Sequence, residues 1–159
     1  MTGPDMHRAR RGYSLVELLV VVGIIAVMAM VAVPRFSYGI VSKTKAKAAA
    51  YRLVTDLRRT RSLAIQDAAT NKKGYSLSMT GSAPYTGYQI ENEDTKQTVD
   101  SCQFTSGVTA TIQGPNKFTF EPLGNLKAGS GSQITVIAGD GRYTISFVAG
   151  TGAVICTGG

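Results

Sequence analysis

The sequence is poor in the side chains that carry most catalysis. It holds one histidine, His7, and two cysteines, Cys102 and Cys156, in 159 residues. That leaves no cluster with metal-ligand spacing. Acids are scarce too: ten Asp and Glu stand against seventeen Lys and Arg, a net of +7. No internal repeat is visible. The glycine-rich stretches lack a following helix, so they read as turns and not as phosphate cradles. No charge interrupts Leu18 to Val33, and no Gly or Pro interrupts Lys43 to Ala69. No small-residue cleavage site follows the apolar run, so an ordinary secretory signal peptide is a poor match.

What is present is organised around that run. As a helix, Tyr13 to Val33 would be about 32 Å long at ~1.5 Å per residue. A bilayer core is about 30 Å thick, so the stretch can span it. Glu17 stands one turn into the apolar segment, where an ionised acid costs up to ~3 kcal/mol at full depth. Such a carboxylate needs a partner. Pro34 closes the run, and its missing amide hydrogen predicts a kink or local break.

The charge is unevenly placed. Arg35 to Lys73 carries ten Lys or Arg against Asp56 and Asp67. Gly74 to Gly159 carries four against six acids. The segment after the apolar run is therefore basic and the remainder net acidic. A basic stretch beside a membrane is drawn to anionic headgroups, although a solvated helix face fits most of these side chains equally well. Counting cations on the two sides of the run puts more on the C-terminal side, which by the positive-inside rule alone would leave that part in the cytoplasm.

Two periodicities follow. Ala50, Leu53, Val54, Leu57, Ala64, Ile65 and Ala68 recur at three- and four-residue spacing, one apolar stripe of a helix. Arg52, Arg58, Arg59 and Arg61 lie largely off it. Asn71 to Gly74 is expected to cap the helix, with Lys72 and Lys73 on the negative end of its dipole. From Gly74 the period is two: Tyr75-Leu77-Met79, Tyr88-Ile90, Val108-Ala110-Ile112, Phe118-Phe120, Ile134-Val136, Tyr143-Ile145-Phe147 and Ala153 to Cys156. Asp140-Gly141 marks a hairpin. The fold class is α+β: a long helix packed on an antiparallel β domain of roughly seven strands.

The string Arg11-Gly12-Tyr13-Ser14-Leu15-Val16-Glu17-Leu18 resembles the processing site of type IV pilins and pseudopilins. The resemblance implies that a prepilin peptidase cuts after Gly12 on the cytoplasmic side and methylates the new amine of Tyr13. Tyr13 stands where the family usually has Phe. Glu17 becomes the fifth residue of the mature chain and pairs with the Tyr13 amine of a neighbouring subunit, since a paired buried charge recovers much of its desolvation cost. The implied divisions are a leader over 1–12, a membrane and assembly helix over 13–34, its amphipathic continuation over 35–73, and a β head over 74–159. The implied location is the bacterial inner membrane, with the head in the periplasm, the reverse of the cation count. The partners are the peptidase, other pilins or pseudopilins, and inner-membrane lipids.

Two further stretches are similar to the GspH/FimT-type branch: Asp56 to Ile65, and Phe118-Thr119-Phe120-Glu121-Pro122-Leu123-Gly124 followed by Gly141-Arg142. Leu123 stands where that branch often carries Arg. The implied function is a structural subunit, a minor pilin of a type IV pilus or a pseudopilin of a type II secretion system. The alternative is a minor pilin whose head captures DNA, with Arg142 as a contact. Phosphate binding needs clustered cations, and a net acidic head with a near-solitary Arg142 speaks against it. Loss of His7 with the leader removes any Ser–His or Cys–His pair, so no enzyme and no cofactor is expected. In an oxidising compartment Cys102 and Cys156 form either a bridge or two buried free thiols. The even count favours the bridge, for which loop entropy gives roughly 4 kcal/mol.

Overall fold

The computed structural model describes residues 14–148 and 151–158; the side chains of 31–38 lie outside that description. The chain divides into two compact units, Met1–Ser37 and Tyr38–Gly159.

Helix α1 covers Leu15–Gln66. Its described side chains in the first unit, from Leu15 to Met30, are apolar apart from Glu17, and Leu15, Leu19, Val27, Met28 and Met30 are each at least two-thirds exposed. No helix among the described residues is long and apolar enough to cross a membrane. The described side chains of the run, Leu15 to Met30, cover only about 24 Å at ~1.5 Å per residue, against the ~30 Å required. Val31 to Val33, which would complete it, fall among 31–38. The expected kink at Pro34 also concerns those residues.

In the second unit the apolar stripe of α1 is the spine of the core. Ala46, Ala50, Leu53, Val54, Leu57 and Ala64 are buried. Thr60 completes the stripe and is fully buried, because its hydroxyl donates to the Asp56 carbonyl at 2.7 Å. Ile65, expected inside, is half exposed.

The helix ends at Gln66, before the expected cap. Asn71 is buried and organises the turn that follows. Its Oδ1 accepts from the amides of Lys73 and Gly74, and its Nδ2 donates to the Gly74 carbonyl. Lys72 and Lys73 therefore lie beyond the last helical turn, which contains no cation.

Nine strands follow among the described residues: β1 (Tyr75–Thr80), β2 (Gly87–Asn92), β3 (Thr98–Gln103), β4 (Thr109–Gln113), β5 (Lys117–Phe120), β6 (Leu126–Ala128), β7 (Gln133–Ala138), β8 (Gly141–Phe147) and β9 (Val154–Gly158). All pairings are antiparallel, in two sheets ordered β3-β2-β1-β5-β6 and β4-β7-β8-β9. Every expected strand is there. Two are additional. In β3 only Cys102 is buried, so no alternation marks it, and β6 is three residues long. The sheets meet through their apolar faces, with Phe118 of β5 stacked on Phe147 of β8 at 4.7 Å between ring centres.

The β7–β8 hairpin has Gly139-Asp140 as its central pair, since Ala138 faces Gly141. Gly139, not Asp140, carries the positive φ, +52°. This matches the two-residue turn with glycine first. The hairpin rests on α1: a Cβ on Gly141 would lie 2.8 Å from the Lys43 Cα.

Candidate functional site

The candidate site is the start of α1. Gly12 and Tyr13, the expected cleavage and methylation positions, lie outside the described residues. The description begins at Ser14, whose carbonyl accepts from the Leu18 amide at 3.1 Å, the first helical bond. Glu17 falls in the first turn and is exposed. The positive end of a helix dipole attracts negative charge, worth roughly 0.3–1 kcal/mol. Ser14-Leu15-Val16-Glu17 also has the S-x-x-E spacing of a capping box, a signal present in the sequence and masked by the apolar run that follows it. Glu17 thus has a reason to sit at this helix end before any partner is considered. The dipole term is smaller than the ~3 kcal/mol cost of an acid at full membrane depth. It does not replace a neighbouring cation.

Three arginines of α1, Arg58, Arg59 and Arg61, which the sequence left open between headgroup contact and a solvated face, act as ties. The Arg61 Nε donates to the Gly124 carbonyl at 2.8 Å, and Arg58 donates to the Val154 carbonyl at 3.2 Å. Arg59 pairs with Asp100 of β3 at 2.6 Å, which holds that carboxyl below its ordinary value. The Arg61 bond joins the two stretches that carry the branch resemblance, the end of the helix and the Phe118–Gly124 turn.

A buried polar network joins the strands of the first sheet, and one tyrosine of that sheet bonds the helix. Glu93 is nearly buried, and burial by itself would raise its pKa. Bonds from Lys117 (2.6 Å), Lys96 and the Ser76 hydroxyl (2.5 Å) overcome this and hold it at about 2. The Tyr88 hydroxyl donates to Asp56 at 2.5 Å, and burial followed by that carboxylate raises its pKa.

The two cysteines are not bridged, a correction to the expected disulfide. Cys102 is a buried free thiol in β3, and Cys156 a partly buried one in β9. These are edge strands of different sheets. Burial pushes the Cys156 thiol upward in pKa.

Arg142 is exposed on β8, between buried Gly141 and Tyr143. Among the described residues it is the only Lys or Arg in the strands of the second sheet. The fold therefore gathers no further strand cation around it. Among the described residues no group of three or more His, Cys, Asp or Glu could hold a metal.

No curated protein and no solved structure matches the chain. The family model of the prokaryotic N-terminal methylation motif matches residues 7–33, which include Gly12, Tyr13 and Glu17. The chain carries that motif, the prepilin leader of the type IV pilin kind, which supports a type IV pilin-like subunit of pili or secretion systems.

Proposed function

We propose that the protein is a non-enzymatic minor pilin or pseudopilin, processed after Gly12, held in the inner membrane by residues 13–34, and assembled through the N-terminal part of α1. The observation that carries the reading is the methylation motif at residues 7–33. The exposed apolar surface from Leu15 to Met30 supports it, since a surface of that extent needs lipid or sister helices around it. Assembly follows from Glu17. Alone in an apolar medium its carboxylate is costly; opposite the Tyr13 amine of a neighbour the two charges compensate. The net acidic head and the isolated Arg142 favour this role over DNA capture.

Glu17→Val tests the mechanism. The variant loses a few tenths of a kcal/mol at the helix start and is relieved of up to ~3 kcal/mol on insertion. It should reach the membrane at the wild-type level or above, yet be recovered with filament subunits at a tenth or less of the wild-type amount. Wild-type recovery in assembled filaments would remove the pairing mechanism.

A further inference from the structure

The cations of the second unit fall into two groups. Away from the start of the unit most are engaged. Lys73 pairs with Asp94, Lys96 and Lys117 with Glu93, Lys127 with Glu121, and Arg59 with Asp100. Arg58 and Arg61 hold carbonyls. At the start of the unit the pattern reverses. Lys43, Lys45 and Lys47 are exposed and lie within 4 Å of no carboxylate among the described residues. Between Tyr38 and Thr55 the sequence has no acid at all.

Apolar exposure coincides with this free charge. Ile40 is 64% and Val41 51% exposed, one turn before the lysines. The elements packed beside them are small and nearly uncharged: Ser106 and Gly107 of one loop, and Gly139 of the β7–β8 hairpin. Asp140 is the one acid of that hairpin turn. The close fit of Gly141 on Lys43 and Ala46 fixes the hairpin there.

Exposed aliphatic side chains followed by unpaired lysines on a helix match the chemistry of a lipid interface. The apolar groups enter the headgroup boundary, and each lysine near the surface adds attraction to anionic lipid. We propose that Ile40, Val41, Lys43, Lys45 and Lys47 form a docking surface for anionic phospholipid headgroups, holding the head against the membrane before assembly. This rests on the anchored-subunit reading above. It also accounts for the cations that defeat the positive-inside count: they serve the surface of the far leaflet and do not set topology.

The test uses the full chain in nanodiscs of neutral phosphatidylcholine and in discs containing about one-third phosphatidylglycerol, with lysine acylation read by mass spectrometry. Elution of the chain with neutral discs reports the anchor separately from the surface. In the anionic discs, acylation of Lys43 should fall at least threefold, with a smaller fall toward Lys47, because the attraction decays within a Debye length of ~8 Å. Lys72 and Lys127 should be unchanged, and 0.5 M salt should restore the reactivity of Lys43. Equal labelling of Lys43 in the two kinds of disc, with the chain in both, would overturn the proposal. Protection of the three lysines by duplex DNA in neutral discs, without protection by anionic lipid, would overturn it in favour of nucleic acid.

Discussion

At the scale of single residues, Glu93 is the most informative side chain in the head. Its folded pKa, about 2, lies below the ordinary 4.5. A carboxylate depressed in this way contributes stability that is fully present above about pH 4.5 and is lost as pH falls toward 2. Lys96 and Lys117 are themselves partly exposed, so water screens these pairs and the shift overstates their worth. Glu93→Gln should therefore lower stability at pH 7 by about 1–2 kcal/mol, with the gap to wild type closing between pH 4.5 and 2. Denaturant titrations of the detergent-solubilised chain at pH 7, 4.5 and 2.5 would check it. A gap that stays constant across that window would mean that Glu93 is held by shape and not by charge. Little in the sequence foretells this site, because Ser76 and Lys117 reach Glu93 only through the pairing of β1 with β2 and β5, and Lys96, three residues on, is the one local partner.

At the scale of elements, the sequence is most legible where burial enforces a period. The stripe from Ala50 to Leu57 and the alternation in β7 and β8 each put one face in the core, and the structure follows them residue by residue. It is least legible where burial is thin. β3 has a single buried side chain, and β6 is too short to hold a pattern. The helix end departs from the sequence expectation because Asn71 has two uses. As a cap it would close α1; in the fold its amide instead closes the turn into β1. The hairpin is legible, but its central pair lies one residue earlier than Asp140-Gly141, since Gly139 and Gly141 flank Asp140 symmetrically. The role of Gly141 exists only in three dimensions. Gly141→Ala puts a methyl 2.8 Å from the helix backbone, which cannot give way as a side chain tip would. Overpacking of that kind costs roughly 1–3 kcal/mol. A drop in melting temperature of several degrees is expected, and an unchanged value would show that the hairpin is not seated on α1.

For the whole molecule, two properties need different kinds of information. The methylation motif is readable directly, because Gly12, Tyr13, Glu17 and the apolar run stand at fixed spacing within the matched residues 7–33. The state of the cysteines is not, because sequence carries no Cα separation and the division into two sheets is a long-range property. The fold predicts that the intact mass under non-reducing conditions is that of the dithiol form, and that a reductant leaves the melting temperature unchanged. A mass lower by two hydrogens would place Cys102 and Cys156 together and contradict the two free thiols of the structure.

The central claim is that residues 1–12 are removed as a prepilin leader and that the rest is the working subunit. The most direct measurement is the N-terminal mass of the chain recovered from membranes of cells that contain a prepilin peptidase. The account predicts a wild-type chain beginning at Tyr13, and a Gly12→Val chain that keeps its whole leader from Met1 onward and stays in the membrane. A Tyr13 N-terminus in the Gly12→Val chain, or a wild-type chain that retains residues 1–12, would contradict it.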